Sequence, residues 1–380
     1  MRSLSVLLGV VLLGCSDGDV EPLGGIDLLG HETNTIDNVT VTVIADTDDG
    51  LNRVMDLDFN PEVDGELWTM NAEDDSAVII SAAYEDTRTS QKIIDPYALH
   101  FMDNVSAISF GAPGFFATTQ ESSNTYNGQG NSNFFMGPSL WPSSLDLFGQ
   151  SNPEAVEELS EMFGFYVDLG SHYDMLHDSP MATGIEWSHD NVYWVFDGYH
   201  DAISRQDFAE DHGMGYDDHN DGEILRYVSG EVKKVEGVHS GLALDAETGL
   251  LYIADTGNGR IVALDINSGT MGARLPQVDA RAYPVHNLMD DATLTPIVEN
   301  LDKPSGLVLK DGLLYVVQNG SGRISAYDLT GNRIDYLDTG RDGGALQGIN
   351  FGPDGGLYVA DGAAGEVFRL TANPEAFLEE

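Results

Sequence analysis

Apolar residues recur along the C-terminal half of the chain in short runs, and glycine, aspartate or asparagine separates each run from the next. Segments 240–245, 249–255 and 259–265 form one group of three, and 305–309, 312–317 and 322–328 form a second. A third group occupies 347–351, 356–361 and 365–370. Apolar runs of this length between turn residues predict β-strands, and their recurrence predicts a repeated unit that is one small sheet.

The repeat continues towards the N-terminus and predicts the fold. A fourth strand follows the second group at 333–337, and more divergent first strands begin near Met55, Ser106 and Thr183. We therefore predict an all-β chain folded as a six-bladed β-propeller of four-stranded blades. The last blade lacks a fourth strand. Segment 39–44 is predicted to pair with 366–370 and close the ring, which removes exposed sheet edges.

One repeat also resembles a known family. The sequence Tyr-Ile-Ala-Asp-Thr-Gly-Asn-Gly-Arg-Ile at 252–261 is similar to the NHL repeat. This resemblance implies the same propeller architecture.

The first 14 residues have the order of a secretory signal. Arg2 precedes an apolar run from Leu4 to Leu13, which is too short to span a bilayer. Leu-Leu-Gly-Cys at 12–15 resembles a bacterial lipobox, which implies lipidation of Cys15, the only cysteine of the chain. Ser16 follows in place of Asp, which by the same resemblance implies export and a lipid anchor in the outer membrane, on its periplasmic or cell-surface side. We expect a signal peptide at 1–14, a flexible tether at 15–35 and the propeller at 36–380.

Two blades carry long insertions, at about 121–177 in blade two and 198–221 in blade three. The second insertion follows from taking 222–228 as the third strand of blade three, because it aligns with 322–328, and 231–235 as the fourth. On this assignment the insertion leaves the face that also carries the connections between blades. Half of the ten histidines are then expected on that face: His177, His200, His212, His219 and His239.

The insertion in blade three predicts a metal site in two alternative forms. Asp-Asp-His-Asn-Asp-Gly at 217–222 resembles the first half of a calcium loop, with oxygen ligands at alternating positions. Zinc would instead take three or four histidines with carboxylates. The candidate ligands are Asp217, His219, Asp221, His212, His177 and His239. The third interpretation has no metal, and salt bridges to Arg205 and Arg226 hold an Asp- and His-rich loop.

Further polar residues are expected to line the same face as ligand contacts. They are Asp178, His200, Asp201, Asp197, Asp255, Asn258, Asn319 and Asp361. Three of these aspartates, Asp197, Asp255 and Asp361, each end a second strand. Their alternative role is to cap the turn that follows.

The charge of the chain narrows the choice of partners. With 63 acidic and 17 basic residues the formal net charge is −46. A nucleic-acid surface needs clustered Lys and Arg, so no nucleic-acid partner is expected. The acidic excess favours solubility and suits divalent cations. No phosphate-binding loop or other motif points to a nucleotide or redox cofactor.

Two propeller enzyme families provide a functional comparison. The chain is similar to the peptidyl-hydroxyglycine amidating lyase in its NHL-like blades with histidines at their starts, where that family holds zinc. Here Ser240 occupies the ligand position and His239 precedes it. Gluconolactonase-like propellers hold calcium with Glu, Asn and Asp around the axis, and Ser305 stands where Asn is expected.

These comparisons favour a binding or assembly module over an enzyme. The module would present the acidic, His- and Asp-rich face to a protein, peptide or carbohydrate ligand, with or without a stabilising metal. The alternative is a metal-dependent hydrolase or lyase that uses the same face.

Overall fold

The computed structural model describes residues 25–31, 33–123, 134–216, 219–277, 283–373 and 375–376. The predicted signal peptide, Cys15 and Asp217 lie outside these residues. The described chain forms six sheets, and their innermost strands contact one another in chain order and then return to the first. This arrangement is a six-bladed β-propeller, so the predicted fold class is confirmed.

Each blade has four strands, numbered here from the axis outwards. In blades one, two and three these are Val54–Phe59, Leu67–Asn71, Ser76–Ser81 and Thr89–Ile93; Val105–Phe110, Phe115–Gln120, Ser139–Pro142 and Asp174–Met175; Gly184–His189, Val192–Asp197, Ala202–Asp207 and Glu223–Tyr227. In blades four, five and six they are Leu242–Asp245, Leu250–Asp255, Arg260–Asp265 and Leu294–Val298; Pro304–Lys310, Leu313–Gln318, Arg323–Asp328 and Arg333–Asp338; Leu346–Phe351, Leu357–Asp361, Glu366–Ala372 and Val39–Ala45.

The N-terminal strand Val39–Ala45 closes the ring as the fourth strand of blade six. It runs antiparallel to Glu366–Ala372, with Val41 opposite Leu370. The predicted closure is therefore confirmed. We call the face where the inner strands begin the upper face; it carries the loops between second and third strands and the connections between blades. The lower face carries the other two loops of each blade.

Aromatic side chains fill the space between adjacent blades. Trp68 of blade one is fully buried, and its ring packs edge-on against Phe110 and Phe116 of blade two at centroid distances of 5.5 and 4.9 Å. Burial of one such side chain contributes about 1.5–3 kcal/mol. The alternation of apolar residues along each strand thus supplies the layers that hold neighbouring blades together.

Blade three departs from the predicted strand assignment. Its third strand is Ala202–Asp207, which pairs antiparallel with Val192–Asp197, and Glu223–Tyr227 is the fourth strand. Segment 222–228 is therefore not the third strand, and the insertion between second and third strands at 198–221 is wrong. The long loop of this blade runs instead from 208 to 222, between the third and fourth strands, and leaves the lower face. The alignment failed because the second half of Ala202–Asp207 is polar and the strand lacks the leading glycine of the third strands in blades four, five and six.

A hairpin that the sequence did not predict covers the outer edge of blade three. Its strands, Thr270–Arg274 and Val285–Asp290, lie in the long third-to-fourth-strand loop of blade four. The second of them pairs in parallel with Glu223–Tyr227, with His286 opposite Ile224. The hairpin therefore pairs the edge of the fourth strand of blade three, and Thr270–Arg274 is the outermost strand of this sheet.

Helices are few and short. The α-helices are Ala98–Phe101 and Pro153–Phe163, and the 3-10 helices are Asp27–Leu29, Ile36–Asn38, Thr47–Asp49 and Thr256–Asn258. The longest lies in the third-to-fourth-strand loop of blade two. Asn152 caps its first turn by accepting from the Glu154 N–H, and Gly164, at φ +75°, ends it. Among the described residues no helix has the length and apolar character needed to cross a membrane.

The expected flexible tether at 15–35 is wrong for its second half. Leu29 is fully buried against blades five and six, and the Ile26 N–H donates to Asp335 Oδ2 at 2.7 Å. The Asn34 carbonyl accepts from the Asp338 N–H at 3.1 Å. Apolar residues in this stretch thus find a partner surface on the propeller instead of remaining in solvent.

Candidate functional site

The inner strands surround a cavity of about 280 Å3 on the axis of the ring. One position of the repeat contributes a residue from every blade to its wall: Asp58, Ser109, Glu186, Ala243, Val308 and Asn350. Four of these six are polar, and we call Asp58, Ser109, Glu186 and Asn350 the polar belt. Sequence reasoning missed the belt, although the aligned repeats carry the signal, a polar residue between two apolar ones at the same position of an inner strand.

The polar belt also ties adjacent blades together. Three belt side chains each accept a hydrogen bond from a backbone N–H of the next inner strand, from the residue that follows that strand's own belt position. The bonds are Phe110 N–H to Asp58 Oδ2 at 2.8 Å, Trp187 N–H to Ser109 Oγ at 3.0 Å and Leu244 N–H to Glu186 Oε1 at 3.2 Å. Asn350 Nδ2 donates to Asp58 Oδ1 at 2.7 Å. These bonds hold the belt residues in place, so the cavity has a preformed polar wall.

A further acid and a histidine lie above the belt. Asp56 occupies a position of the repeat that is glycine in four other blades. Its carboxylate packs against Gly348: a Cβ on that glycine would lie only 2.2 Å from Asp56 Oδ1. His239 approaches Asp56 from the start of blade four, which lies opposite blade one in a ring of six blades. Its Nε2 is 3.7 Å from Asp56 Oδ1, and its Nδ1 is 3.2 Å from the Ser106 carbonyl oxygen. His239 therefore crosses the upper end of the cavity.

The carboxyl groups that line the axial cavity are protonated more readily than free carboxyl groups. Burial raises the pKa of Asp58 to about 7 and that of Glu186 to about 8, and repulsion from the neighbouring channel acids adds to both shifts. Burial also raises the pKa of Asp56, against the attraction of His239. Three acids of raised pKa around one cavity can share protons or a cation, and such clusters are typical of functional sites.

The structure does not bring the predicted histidines onto one face. His200 lies in the second-to-third-strand loop of blade three on the upper face, and His239 is in the channel. His212 and His219 belong to the loop at 208–222, which leaves the lower face. The single His-rich ligand face is therefore wrong, and the reason is the corrected third strand of blade three.

Three of the predicted metal ligands nevertheless meet at the seam between blades two and three. His212 Nε2 is 2.8 Å from Asp221 Oδ1, and His219 Nδ1 contacts Asp174 Oδ1. Asp174, in the outer strand of blade two, is a ligand candidate that sequence reasoning missed, because it lies 45 residues from its histidine. Ligand atoms of Asp174, His212 and Asp221 all lie within 4.8 Å of one another. His177 is adjacent, with its ring centroid 5.6 Å from that of His219.

The predicted ligand-face residues bind other parts of the protein. Asp178 Oδ2 is 2.7 Å from Arg226 Nη2 and 2.6 Å from His286 Nε2, and Asn319 donates to the Leu346 carbonyl. Asp201 occupies a turn at φ +48°, and its carbonyl accepts from the Gly230 N–H.

The aspartates that end the second strands cap the following turns, and Asp255 also pairs with an arginine side chain. Asp197 accepts from the His200 N–H at 3.1 Å, and Asp361 from the Ala364 N–H at 2.8 Å. Asp255 accepts from Asn258 and from Arg260 Nε at 2.7 Å. Their alternative role as turn caps is the one that the structure supports.

Comparisons with known proteins place the fold but not the family. No family model matches the chain, and no curated protein matches it. Solved structures do match. A streptogramin B lyase aligns over 88% of this chain and 98% of its own with a TM-score of 0.51 and 12% identity. An auxiliary nutrient binding protein from Bacteroides ovatus aligns over 88% and 76% with a TM-score of 0.53 and 10% identity.

A third similar structure is described as a calcium-binding protein. It is regucalcin from Agrobacterium tumefaciens, which aligns over 88% of this chain and 94% of its own with a TM-score of 0.51 and 14% identity. At these identities the likeness establishes the propeller fold alone.

Proposed function

We propose that this chain is a binding propeller whose ligand site is the axial cavity, with a divalent cation held by Asp56, Asp58, Glu186 and Asn350. The observation that carries the proposal is the polar belt around one preformed cavity, in which burial raises the pKa of the Asp58 and Glu186 carboxyl groups. Oxygen ligands alone favour a hard cation such as Ca²⁺. The calcium-binding description of the regucalcin structure is in keeping with this choice.

The size of the cavity indicates the kind of ligand. Small-molecule sites in proteins begin at about 300 Å3, and this cavity has about 280 Å3. It accommodates a cation together with a small hydroxyl- or carboxyl-bearing molecule, and it is too small for a folded protein partner. The nutrient binding protein among the similar structures supports a binding role of this kind.

Calcium titration of the purified, chelator-treated protein tests the proposal. We expect one calorimetric binding event per chain and a loss of more than roughly tenfold in affinity for Asp58→Asn and Glu186→Gln. Glu247→Gln removes the same charge at an exposed position and is expected to bind as the wild type does. Absence of calcium binding, or equal binding by all variants, would refute the cation site.

A metal-dependent hydrolase or lyase is the second candidate. It is favoured by His239, whose Nε2 lies 3.7 Å from Asp56 at the upper end of the cavity and is placed to transfer a proton. Turnover of lactone or other small ester substrates that requires Ca²⁺ and is lost in His239→Gln would identify an enzyme. Ligand binding without turnover would leave the binding role.

We also propose that the chain is exported and lipid-anchored to the outer membrane through Cys15. The proposal rests on the apolar leader and the Leu-Leu-Gly-Cys motif. Expression with a labelled fatty acid should give a labelled, membrane-bound protein, and Cys15→Ala should abolish the label. An unlabelled wild-type protein in the soluble fraction would contradict the proposal.

A further inference from the structure

A cluster of two histidines and two aspartates lies at the seam between blades two and three, away from the axial cavity. It consists of Asp174, His212, His219 and Asp221, which we call the seam cluster. Asp174 and His219 are buried, whereas His212 and Asp221 retain 22% and 36% side-chain exposure. The cluster is thus anchored in the protein on one side and open to exchange with solvent on the other.

The buried aspartate of the cluster has an unsatisfied oxygen. Asp174 is fully buried. Its Oδ1 accepts from the Met175 N–H at 2.7 Å and contacts His219 Nδ1, but Oδ2 has no hydrogen-bond partner in the structure. A buried carboxylate oxygen without a partner is unfavourable, because it has lost its hydration and gained no hydrogen bond. Such groups are rare in folded proteins, and an ion is one of the few ways to satisfy them.

We infer that the seam cluster binds a transition-metal ion of the zinc class, with Asp174, His212, His219 and Asp221 as its ligands. Two imidazoles with two carboxylates suit zinc, whereas calcium takes oxygen ligands. Ligand atoms around a tetrahedral zinc lie roughly 3.3 Å apart. The donors of Asp174, His212 and Asp221 are already within 4.8 Å of one another, and the fourth proposed ligand, His219, contacts Asp174 Oδ1.

The position of the cluster gives the ion a structural role. Three ligands come from the loop at 208–222 of blade three, and the fourth comes from the outer strand of blade two. The loop makes further contacts with blade two: the Gly215 N–H donates to the His172 carbonyl at 2.8 Å, and Asn152 donates to the Met214 carbonyl at 2.9 Å. The ion would therefore fasten the loop of one blade to its neighbour.

Metal analysis of the full-length protein, purified without chelator, tests the inference. We expect one zinc per chain, and after replacement by Co²⁺ a visible absorption spectrum of tetrahedral type. His212→Gln and Asp221→Asn should each weaken zinc binding more than tenfold. Both side chains are partly exposed, so neither substitution disturbs the core, and a thermal melt verifies folding.

Two control variants make the outcome specific. His200→Gln removes a histidine of the same blade that pairs with Asp197 on the upper face, and it should retain the zinc. Glu186→Gln removes a channel ligand and should also retain it, which separates this site from the proposed axial one. The inference is overturned if the protein holds neither zinc nor tetrahedral cobalt. Retention of zinc by both seam variants, or its loss in Glu186→Gln, would overturn it as well.

Discussion

Arg226 joins three segments of the protein through charged contacts in the interior. It lies in the fourth strand of blade three, and its guanidinium contacts Asp178 Oδ2 at 2.7 Å and Asp197 Oδ2 at 3.4 Å. His286, from the hairpin of blade four, is 2.6 Å from the same Asp178 oxygen. All four side chains are buried. Such a network is stable only when complete, because removal of one partner leaves a buried charge without compensation.

Replacement of Arg226 should therefore destabilise the fold strongly. For Arg226→Met we expect a loss of about 3–5 kcal/mol in the free energy of unfolding, measured by urea denaturation. Arg205→Met is the matched control, because Arg205 pairs with Asp207 at 3.0 Å with both side chains partly exposed, and it should cost less than about 1 kcal/mol. Equal losses in the two variants would show that the buried network has no special weight.

The raised pKa of Glu186 predicts how stability depends on pH. An unfolded chain releases this proton near pH 4.5, but the folded protein keeps it until about pH 8. Between these values the folded state binds more protons than the unfolded state, so the contribution of Glu186 to stability falls as pH rises from about 4.5 to 8.

Glu186→Gln should remove this dependence. In the absence of divalent cations the free energy of unfolding of the variant should match that of the wild type near pH 4.5. Above pH 8 it should exceed the wild-type value by roughly 1–2 kcal/mol, less than the full pKa shift would give because water in the axial cavity screens the charge. Urea denaturation at both pH values measures the difference. A constant difference between the two proteins across this range would mean that Glu186 titrates normally.

Among the elements, the N-terminal strand joins the two ends of the ring. Val39–Ala45 is the only strand of blade six that precedes blade one in the described chain, and it buries Val39, Ile44 and Ala45. It also covers the outer edge of Glu366–Ala372. The ring is therefore closed by residues more than 320 positions apart, which makes the stability of blade six depend on both ends of the chain.

Removal of this strand should open the ring. We expect a chain that begins at residue 46 to lose about 3–6 kcal/mol relative to one that begins at residue 36, with a broader thermal transition by circular dichroism. The chain that begins at residue 36 already lacks the packed segment at 25–35 and therefore controls for its loss. Identical transitions for the two chains would mean that closure contributes nothing to stability.

The whole molecule carries a large negative charge. A net charge of −46 creates repulsion across the folded surface, and this repulsion destabilises the compact state at low salt. Several of the basic residues that the structure describes form ion pairs, such as Arg260–Asp255 and Arg341–Glu366. The remaining carboxylates depend on counterions from solvent.

Stability should therefore rise with ionic strength. Between 0.01 and 1 M salt the Debye length falls from about 30 to 3 Å, so we expect the melting temperature to increase steadily over this range with NaCl and KCl alike. A sharp increase with micromolar Ca²⁺ or Zn²⁺ would add the effect of specific sites. A melting temperature that is independent of NaCl would show that the surface charges do not interact.

The sequence by itself determined the architecture, because each strand is defined by a local alternation of apolar residues and the repeat multiplies that signal six times. It determined the closing strand too, since only one apolar segment lacked a partner. Tertiary structure decided the strand order of blade three, because Ala202–Asp207 is recognised as a strand only through its hydrogen bonds to Val192–Asp197.

Tertiary structure also decided both sites. The polar belt draws one residue from each of four blades, and the seam cluster joins His219 to Asp174 across 45 positions. Periodicity reports which residues of a strand are apolar. Which polar side chains meet depends on how the blades pack side by side, and that is a property of the assembled ring.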